Sequence, residues 1–83
     1  MTEQNLSAYR IFYEVAKNGN ISRAAKRLYI SQPAISKSIV KLEEGLDTKL
    51  FKRNSRGVTL TDEGEVLYRH IEEAFGAIGE AEL

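Results

Sequence analysis

The chain has 83 residues, 12 Lys/Arg against 12 Asp/Glu, a formal net charge of +0 and no cysteine. That length supports one small core, the missing cysteine excludes a disulfide framework or thiolate metal site, and no run of about 18 apolar residues is present to span a membrane. The neutral total hides a segregation: residues 1–60 carry 11 Lys/Arg against 5 Asp/Glu, a balance of +6, and residues 61–83 carry 1 against 7, a balance of −6. A basic body joined to an acidic tail suits one surface that faces a polyanion and one segment that avoids it. No basic-then-apolar leader opens the chain, so a cytoplasmic location is expected.

Leu6, Tyr9, Phe12, Tyr13 and Ala16 recur at helical spacing. They predict a first helix that stops near Gly19, a residue free to take the left-handed cap. Ser22 is expected to cap a second helix that turns Ala25 and Leu28 inward, with Ala25 small enough for two helices to cross closely. Ser31 is expected to cap a third helix, and Pro33 is tolerated in its first turn because that turn has no intrahelical acceptor for the missing N–H. Ile30 before this cap and Ile35 inside the helix match a hydrophobic staple. Ile35, Ile39, Leu42 and Leu46 follow at intervals of four, three and four, leaving Gln32, Ser36, Lys37 and Lys41 on the outer face.

Leu50-Phe51-Lys52-Arg53 and Val58-Thr59-Leu60 read as two short strands around the turn-forming cluster Asn54-Ser55-Arg56-Gly57. This hairpin is a wing, with Arg53 and Arg56 near its tip. Thr61 can cap a last helix, and Asp62 and Glu63 suit the positive end of its dipole. No proline follows, so the helix can run for about 20 residues, or roughly 30 Å. Leu67, Ile71, Ala74, Ile78 and Ala81 form a coiled-coil-like seam flanked by Tyr68 and Phe75. Ile71, Phe75 and Ile78 are expected to stay in water unless another surface covers them. Pairing of this helix with a second copy is preferred over folding back onto its own body, although Gly76 and Gly79 weaken the helix.

The predicted architecture is mainly α: a winged helix-turn-helix, with a three-helix body and a short β-hairpin wing over 1–60, then a long linker and dimerisation helix over 61–83. Two short helices across a tight turn, the second opening on small polar and basic side chains, suit insertion of a helix N-terminus into the major groove of DNA. Arg23, Lys37, Lys41, Lys52, Arg53 and Arg56 are the expected phosphate partners, joined by Ser22 and Ser31 at helix N-termini. Gln32, Pro33, Ala34, Ser36 and Lys37 are the expected base readers: Gln suits adenine, Lys suits the acceptor edge of guanine, and Pro33 or Ala34 can meet a thymine methyl. Lys26, Arg27 and Lys49 read as solvated surface charges. A single recognition helix covers few base pairs, so a homodimer on an interrupted inverted repeat is expected. No catalytic constellation is visible, since the single histidine, His70, lies on the acidic helix, and neither metal nor cofactor is expected. A protein-docking winged helix and a one-domain winged-helix repressor are the alternatives.

The runs Ser22-Arg23-Ala24-Ala25-Lys26-Arg27-Leu28, Ser31-Gln32-Pro33-Ala34-Ile35-Ser36-Lys37, Leu42-Glu43-Glu44, Leu50-Phe51-Lys52-Arg53 and Leu60-Thr61-Asp62-Glu63-Gly64 occur in this order. Together they resemble the N-terminal DNA-binding domain of LysR-type transcriptional regulators, and the resemblance covers nearly the whole chain. It implies a winged helix-turn-helix with a linker helix through which two copies pair, in a bacterial or archaeal cytoplasm. By the same resemblance, Gln32, Pro33, Ser36 and Lys37 occupy base-contacting positions and Arg53 the wing position that grips the backbone. Family members normally continue into an effector-binding domain shaped like a periplasmic binding protein, so the chain resembles the DNA-binding portion alone, and a small-molecule effector is expected only in that further domain. Two departures stand out. Asp47 occupies the place of a usual glycine, with Gly45 two residues earlier, and the acidic, glycine-containing tail falls in a family-variable region.

Overall fold

Six elements follow one another in the computed structural model, which describes residues 6–82: α1 (Leu6–Asn18), α2 (Ile21–Leu28), α3 (Gln32–Leu46), β1 (Phe51–Asn54), β2 (Gly57–Leu60) and α4 (Asp62–Ala81). Residues 1–5 of the expected body and Leu83 of the expected linker lie outside the described residues. α1 ends as expected, with Gly19 at φ 66° and its N–H on the Val15 carbonyl at 2.8 Å.

The cap of α2 differs from expectation. Asn20, not Ser22, precedes the helix, and its side-chain oxygen accepts from the Arg23 N–H at 2.9 Å. Ser22 is already the second helical residue. The shift has a packing cause: Ile21 packs against the core as the first residue of the helix, so the capping oxygen must come from the residue before it. At the other end Tyr29 takes the left-handed conformation at φ 58°, and the Ile30 N–H reaches back to the Ala25 carbonyl at 3.1 Å. This closure makes the turn of the helix-turn-helix.

α3 begins as the sequence predicts. The Ala34 N–H donates to Ser31 Oγ at 3.2 Å, and Pro33 occupies the first turn. Its far end closes on Asp47, which adopts φ 51° without a glycine's freedom. The Asp47 N–H bonds the Glu44 carbonyl at 3.2 Å and the Thr48 N–H bonds the Glu43 carbonyl at 3.0 Å. This pair of bonds satisfies carbonyls that the helix end would otherwise leave open, which offsets the cost of a left-handed Asp.

Two joined clusters form the interior. Val15, Ala24, Ala25, Ile35, Ile39 and Val58 unite α1, α2, α3 and the wing, and both staple residues belong here, Ile35 buried and Ile30 packed against it. Phe12, Leu42, Leu50 and Ile71 unite α1, α3, the wing root and α4. Phe51 touches both clusters, and its ring lies 5.3 Å from that of Phe12.

The wing is one antiparallel pair in the register Phe51↔Leu60, Lys52↔Thr59, Arg53↔Val58 and Asn54↔Gly57. Ser55 and Arg56 form its tip, where the Arg56 N–H bonds Asn54 Oδ1 at 2.9 Å. Gly57 is obligatory. It sits at φ 142°, and a Cβ there would collide with the Gly19 carbonyl oxygen. Val58 N–H donates to that same carbonyl at 3.1 Å, so the wing is fastened to the α1–α2 turn.

α4 starts at Thr61, whose Oγ1 accepts from the Gly64 N–H at 3.0 Å while its own hydroxyl donates to the Lys49 carbonyl at 2.7 Å. The proximal half of this helix does not wait for a partner. Ile71, expected to stand in water, is only 7 % exposed and belongs to the core with Phe12, Leu42 and Leu50. Phe75, expected to need cover, is half-buried: its ring meets Tyr13 edge-on at 5.5 Å and lies beneath the Arg10 guanidinium at 4.1 Å. The reason is the wing root, which brings the start of α4 against α1, so the Leu67–Ile71–Phe75 face folds back on the body. Ile78 does remain 45 % exposed.

Candidate nucleic-acid interface

The outer face of α3 is polar and open. Gln32, Pro33, Ala34, Lys37 and Lys41 are exposed, and Ser36 is half-buried. Ser36, Lys37, Val40, Lys41 and Glu44 line one shallow depression along this face. Val40 also belongs to a notch between α3 and the wing that includes Glu43, Lys49 and Arg53. The α3 face and the wing therefore meet at Val40. Sequence reasoning missed this residue, which is 47 % exposed. Its signal was there: Val40 follows Ile39 and lies off the Ile35–Ile39–Leu42–Leu46 stripe. Tyr29 was missed too, and its left-handed backbone leaves the side chain 94 % exposed on the turn before α3.

Ser22 and Gln32 meet across the turn. Gln32 Nε2 donates to Ser22 Oγ at 3.4 Å, which draws the start of α2 and the start of α3 together. Ser22 is half-buried, Arg23 is exposed one position further on, and Ser31 is exposed at the α3 cap. Along the wing, Arg53 shares a face with Val58 and Phe51, so it leans toward the notch, while Lys52 points to the opposite face. Arg53 and Arg56 are exposed.

Of the 12 basic residues three face a carboxylate, and the rest, Lys17, Lys26 and Arg69 among them, have none within 4.0 Å among the described residues. Arg27 Nε lies 3.3 Å from Glu14 Oε1, Arg10 lies 4.0 Å from Glu14 Oε2, and Lys49 lies 3.9 Å from Glu43 Oε1. The expected solvated charges Arg27 and Lys49 thus each face a nearly buried carboxylate. Among the described residues, no carboxylate lies within 4.0 Å of Arg23, Lys37, Lys41, Lys52, Arg53 or Arg56. These six cations stand on the start of α2, the outer face of α3 and the wing.

His70 is exposed on α4, and among the described residues no group of three His, Cys, Asp or Glu is placed to hold a metal ion. Across α4, Tyr68 stacks on Tyr13 with ring centroids 5.1 Å apart. Burial pushes the Tyr68 hydroxyl above its usual range, and the neighbouring Tyr13 raises it further. No helix among the described residues is long and apolar enough to cross a membrane.

A three-helix body, a two-stranded wing beside the third helix and a capped turn between the second and third define a winged helix-turn-helix. Residues 6–65 match the family described as bacterial regulatory helix-turn-helix protein, lysR family, and the chain belongs to that family. Its relatives include the HTH-type transcriptional regulator GltR of Bacillus subtilis (strain 168), 40 % identical over 84 residues, an alignment covering 93 % of this chain and 28 % of that protein. The glycine cleavage system transcriptional activator of Escherichia coli (strain K12) is 40 % identical over 76 residues, covering 92 % of this chain and 25 % of that protein. The chain thus spans about a quarter of the length of these relatives. Among solved structures, a BenM_DBD/catB site 1 DNA complex is 32 % identical, with a TM-score of 0.88 over 94 % of this chain and 88 % of that one. A CbnR_DBD–DNA complex is 32 % identical, with a TM-score of 0.85 over 94 % of this chain and 90 % of that one.

Proposed function

We propose that this chain is the DNA-reading part of a transcriptional regulator, which seats α3 and the wing on duplex DNA. The observation that carries this reading is the concentration of exposed cations on the start of α2, the outer face of α3 and the wing, none of them with a carboxylate within 4.0 Å among the described residues. The DNA complexes among its structural relatives support it. Arg23, Lys41, Lys52, Arg53 and Arg56 meet phosphates, with Ser22 and Ser31 donating at helix N-termini. Gln32, Pro33, Ala34, Ser36 and Lys37 read base edges, and Val40 adds an apolar contact suited to a thymine methyl. The reading assigns a binding role and no catalysis, a cytoplasmic location, and a division of labour between residues 1–60, which hold the DNA surface, and residues 61–83.

The second part of the proposal is a homodimer on an interrupted inverted repeat, joined through α4. Ile71 is spent on the protomer's own core, so pairing falls to the rest of the seam. Ala74 and Ile78 are exposed, Leu67 and Phe75 are partly covered, and Ile78 and Phe75 border a groove with Leu6, Ile11, Leu28 and Ile30. A small-molecule effector acts on the remainder of the regulator. Selection from a randomised duplex library at two salt concentrations tests the reading. The expected result is enrichment of paired half-sites about one helical turn, or some 34 Å, apart. No enrichment at either salt rejects it in favour of docking on a protein.

A further inference from the structure

Glu43 lies on the inner side of α3, is 9 % exposed, and is one of two buried charged residues among those described. Its Oε2 accepts from the Leu50 N–H at 2.7 Å and from the Phe51 N–H at 3.3 Å. These are the residues at which the chain leaves the α3 end and enters the wing. Lys49, its ion-pair partner at 3.9 Å, has a side chain 82 % exposed, so the pair adds little and the backbone amides are the partners that count. A buried carboxylate bound to two amides is costly to leave unmet and strongly directional. β2 has its own fastening, the Val58 N–H on the Gly19 carbonyl at 3.1 Å. The hairpin is thus held at the root of β1 by a side chain of α3 and at the start of β2 by the α1–α2 turn. Arg53 stands between these two points and shares the notch with Glu43.

We infer that Glu43 is a positioning residue for DNA binding: it fixes the wing against α3 so that Arg53 and Arg56 reach phosphates while α3 lies in the groove. This rests on the DNA-binding reading above, and it assigns Glu43 no contact with DNA. The helix face supplies the register and the carboxylate sets the angle of the hairpin to it. Removing the acceptor loosens the β1 root, which keeps the buried Leu50 side chain and the Thr61 N–H on the Leu50 carbonyl, while α1, α2 and α3 keep their shared core.

The test uses the full chain with Glu43→Met, which keeps the length but removes both oxygens, and Glu43→Gln, which keeps one acceptor oxygen. Far-ultraviolet circular dichroism is expected to show wild-type helix content in both. Amide hydrogen exchange at Leu50 and Phe51 is expected to quicken by about tenfold or more in E43M, with α1 and α3 unchanged. Binding to a duplex of mixed sequence is then followed against salt. Each lost phosphate contact lowers the slope of log K on log salt by about 0.9, so E43M is expected to lose about 1–2 from the slope. Arg53→Ala/Arg56→Ala is expected to lose the same amount, E43M added to that pair to lose nothing more, and E43Q to restore most of the slope. Weaker binding at an unchanged slope overturns the inference, as does loss of helix content in E43M, which makes Glu43 a support of the whole body. Unchanged exchange at Leu50 overturns it as well. If the wild-type chain fails to bind duplex DNA, the functional reading falls instead, and hydrogen exchange alone decides whether Glu43 holds the wing.

Discussion

Replacing Ile71 with alanine separates the two roles that a seam residue on α4 can have. The side chain is 7 % exposed and packs with Phe12, Leu42 and Leu50. Ile→Ala removes three carbon atoms, worth about 2.4 kcal/mol of transfer at roughly 0.8 kcal/mol each. The cavity left behind raises the cost, and the usual range for such a change is about 2–5 kcal/mol. We take about 3 kcal/mol, because Ile71 sits at the rim of the cluster where α4 can settle inward. For a domain of this size each kcal/mol lowers Tm by about 4–8 °C, so Tm is expected to fall by about 12–24 °C. Thermal unfolding followed by circular dichroism at low protein concentration, and again at a hundredfold higher one, measures it. The fall must be present at both. Ile78→Ala, at a half-exposed site, is expected to cost under about 1 kcal/mol at low concentration and to act on self-association. A Tm for Ile71→Ala within about 2 °C of wild type in the dilute sample, with weakened self-association, refutes the core assignment.

Lys37→Ala is expected to lose about 1–3 kcal/mol on a selected site and to blur base preference there, read by competition between duplexes. Arg53→Ala is expected to weaken all sequences alike and lower the salt slope by about 1, so equal, sequence-independent losses from both changes would show that Lys37 meets only phosphate. Gly64→Ala forces a Cβ into the Leu50 carbonyl oxygen, and a denaturant titration is expected to show a loss of about 1–3 kcal/mol. The raised pKa of Tyr68 has a definite sign. The folded state holds the phenol proton more tightly, so the contribution is whole below the unfolded value near 10 and is lost as pH climbs through the higher folded value. Tyr68→Phe is expected to lose less stability than wild type above about pH 10, and matching losses in the two proteins would remove Tyr68 as the cause.

The third helix and the wing are legible in the sequence because their determinants are local. Ser31, Pro33 and the Ile30–Ile35 pair act within a few residues of one another, and the Asn54–Gly57 cluster carries its turn by itself. The failures share a different cause. Asn20 and Ser22 are both good caps, and only the need to bring Ile21 into the core chooses between them. The Leu67–Ile71–Ala74–Ile78 spacing reports an apolar face but not its partner. That is decided by the wing root, which turns the start of α4 toward α1. Asp47 takes a left-handed shape that its side chain disfavours, because two backbone bonds close the end of α3 around it. Glu43 beside Glu44 looks like ordinary helix surface. Its amide partners lie seven and eight residues away, beyond the reach of any helical pattern. Of the candidate interface, the cations on α3 and the wing could be named from the sequence, Val40 was legible as a residue off the buried stripe of α3, and Tyr29 emerged only from its exposure.

The peptide groups of Leu50 sit between three parts of the molecule. Its N–H goes to Glu43 on α3, and its carbonyl receives the Thr61 N–H at 3.0 Å and abuts the Cα of Gly64 in the first turn of α4. A chimera that swaps rods between paralogues therefore cannot be spliced at the visible corner before the helix. A donor segment lacking the hydroxyl of Thr61 would strand the Lys49 carbonyl, and one lacking the bare backbone of Gly64 would press a Cβ on the Leu50 carbonyl and wedge the graft away from its new host. The seamless crossover point is one turn further on, past Gly64, close to where the family match itself ends at residue 65.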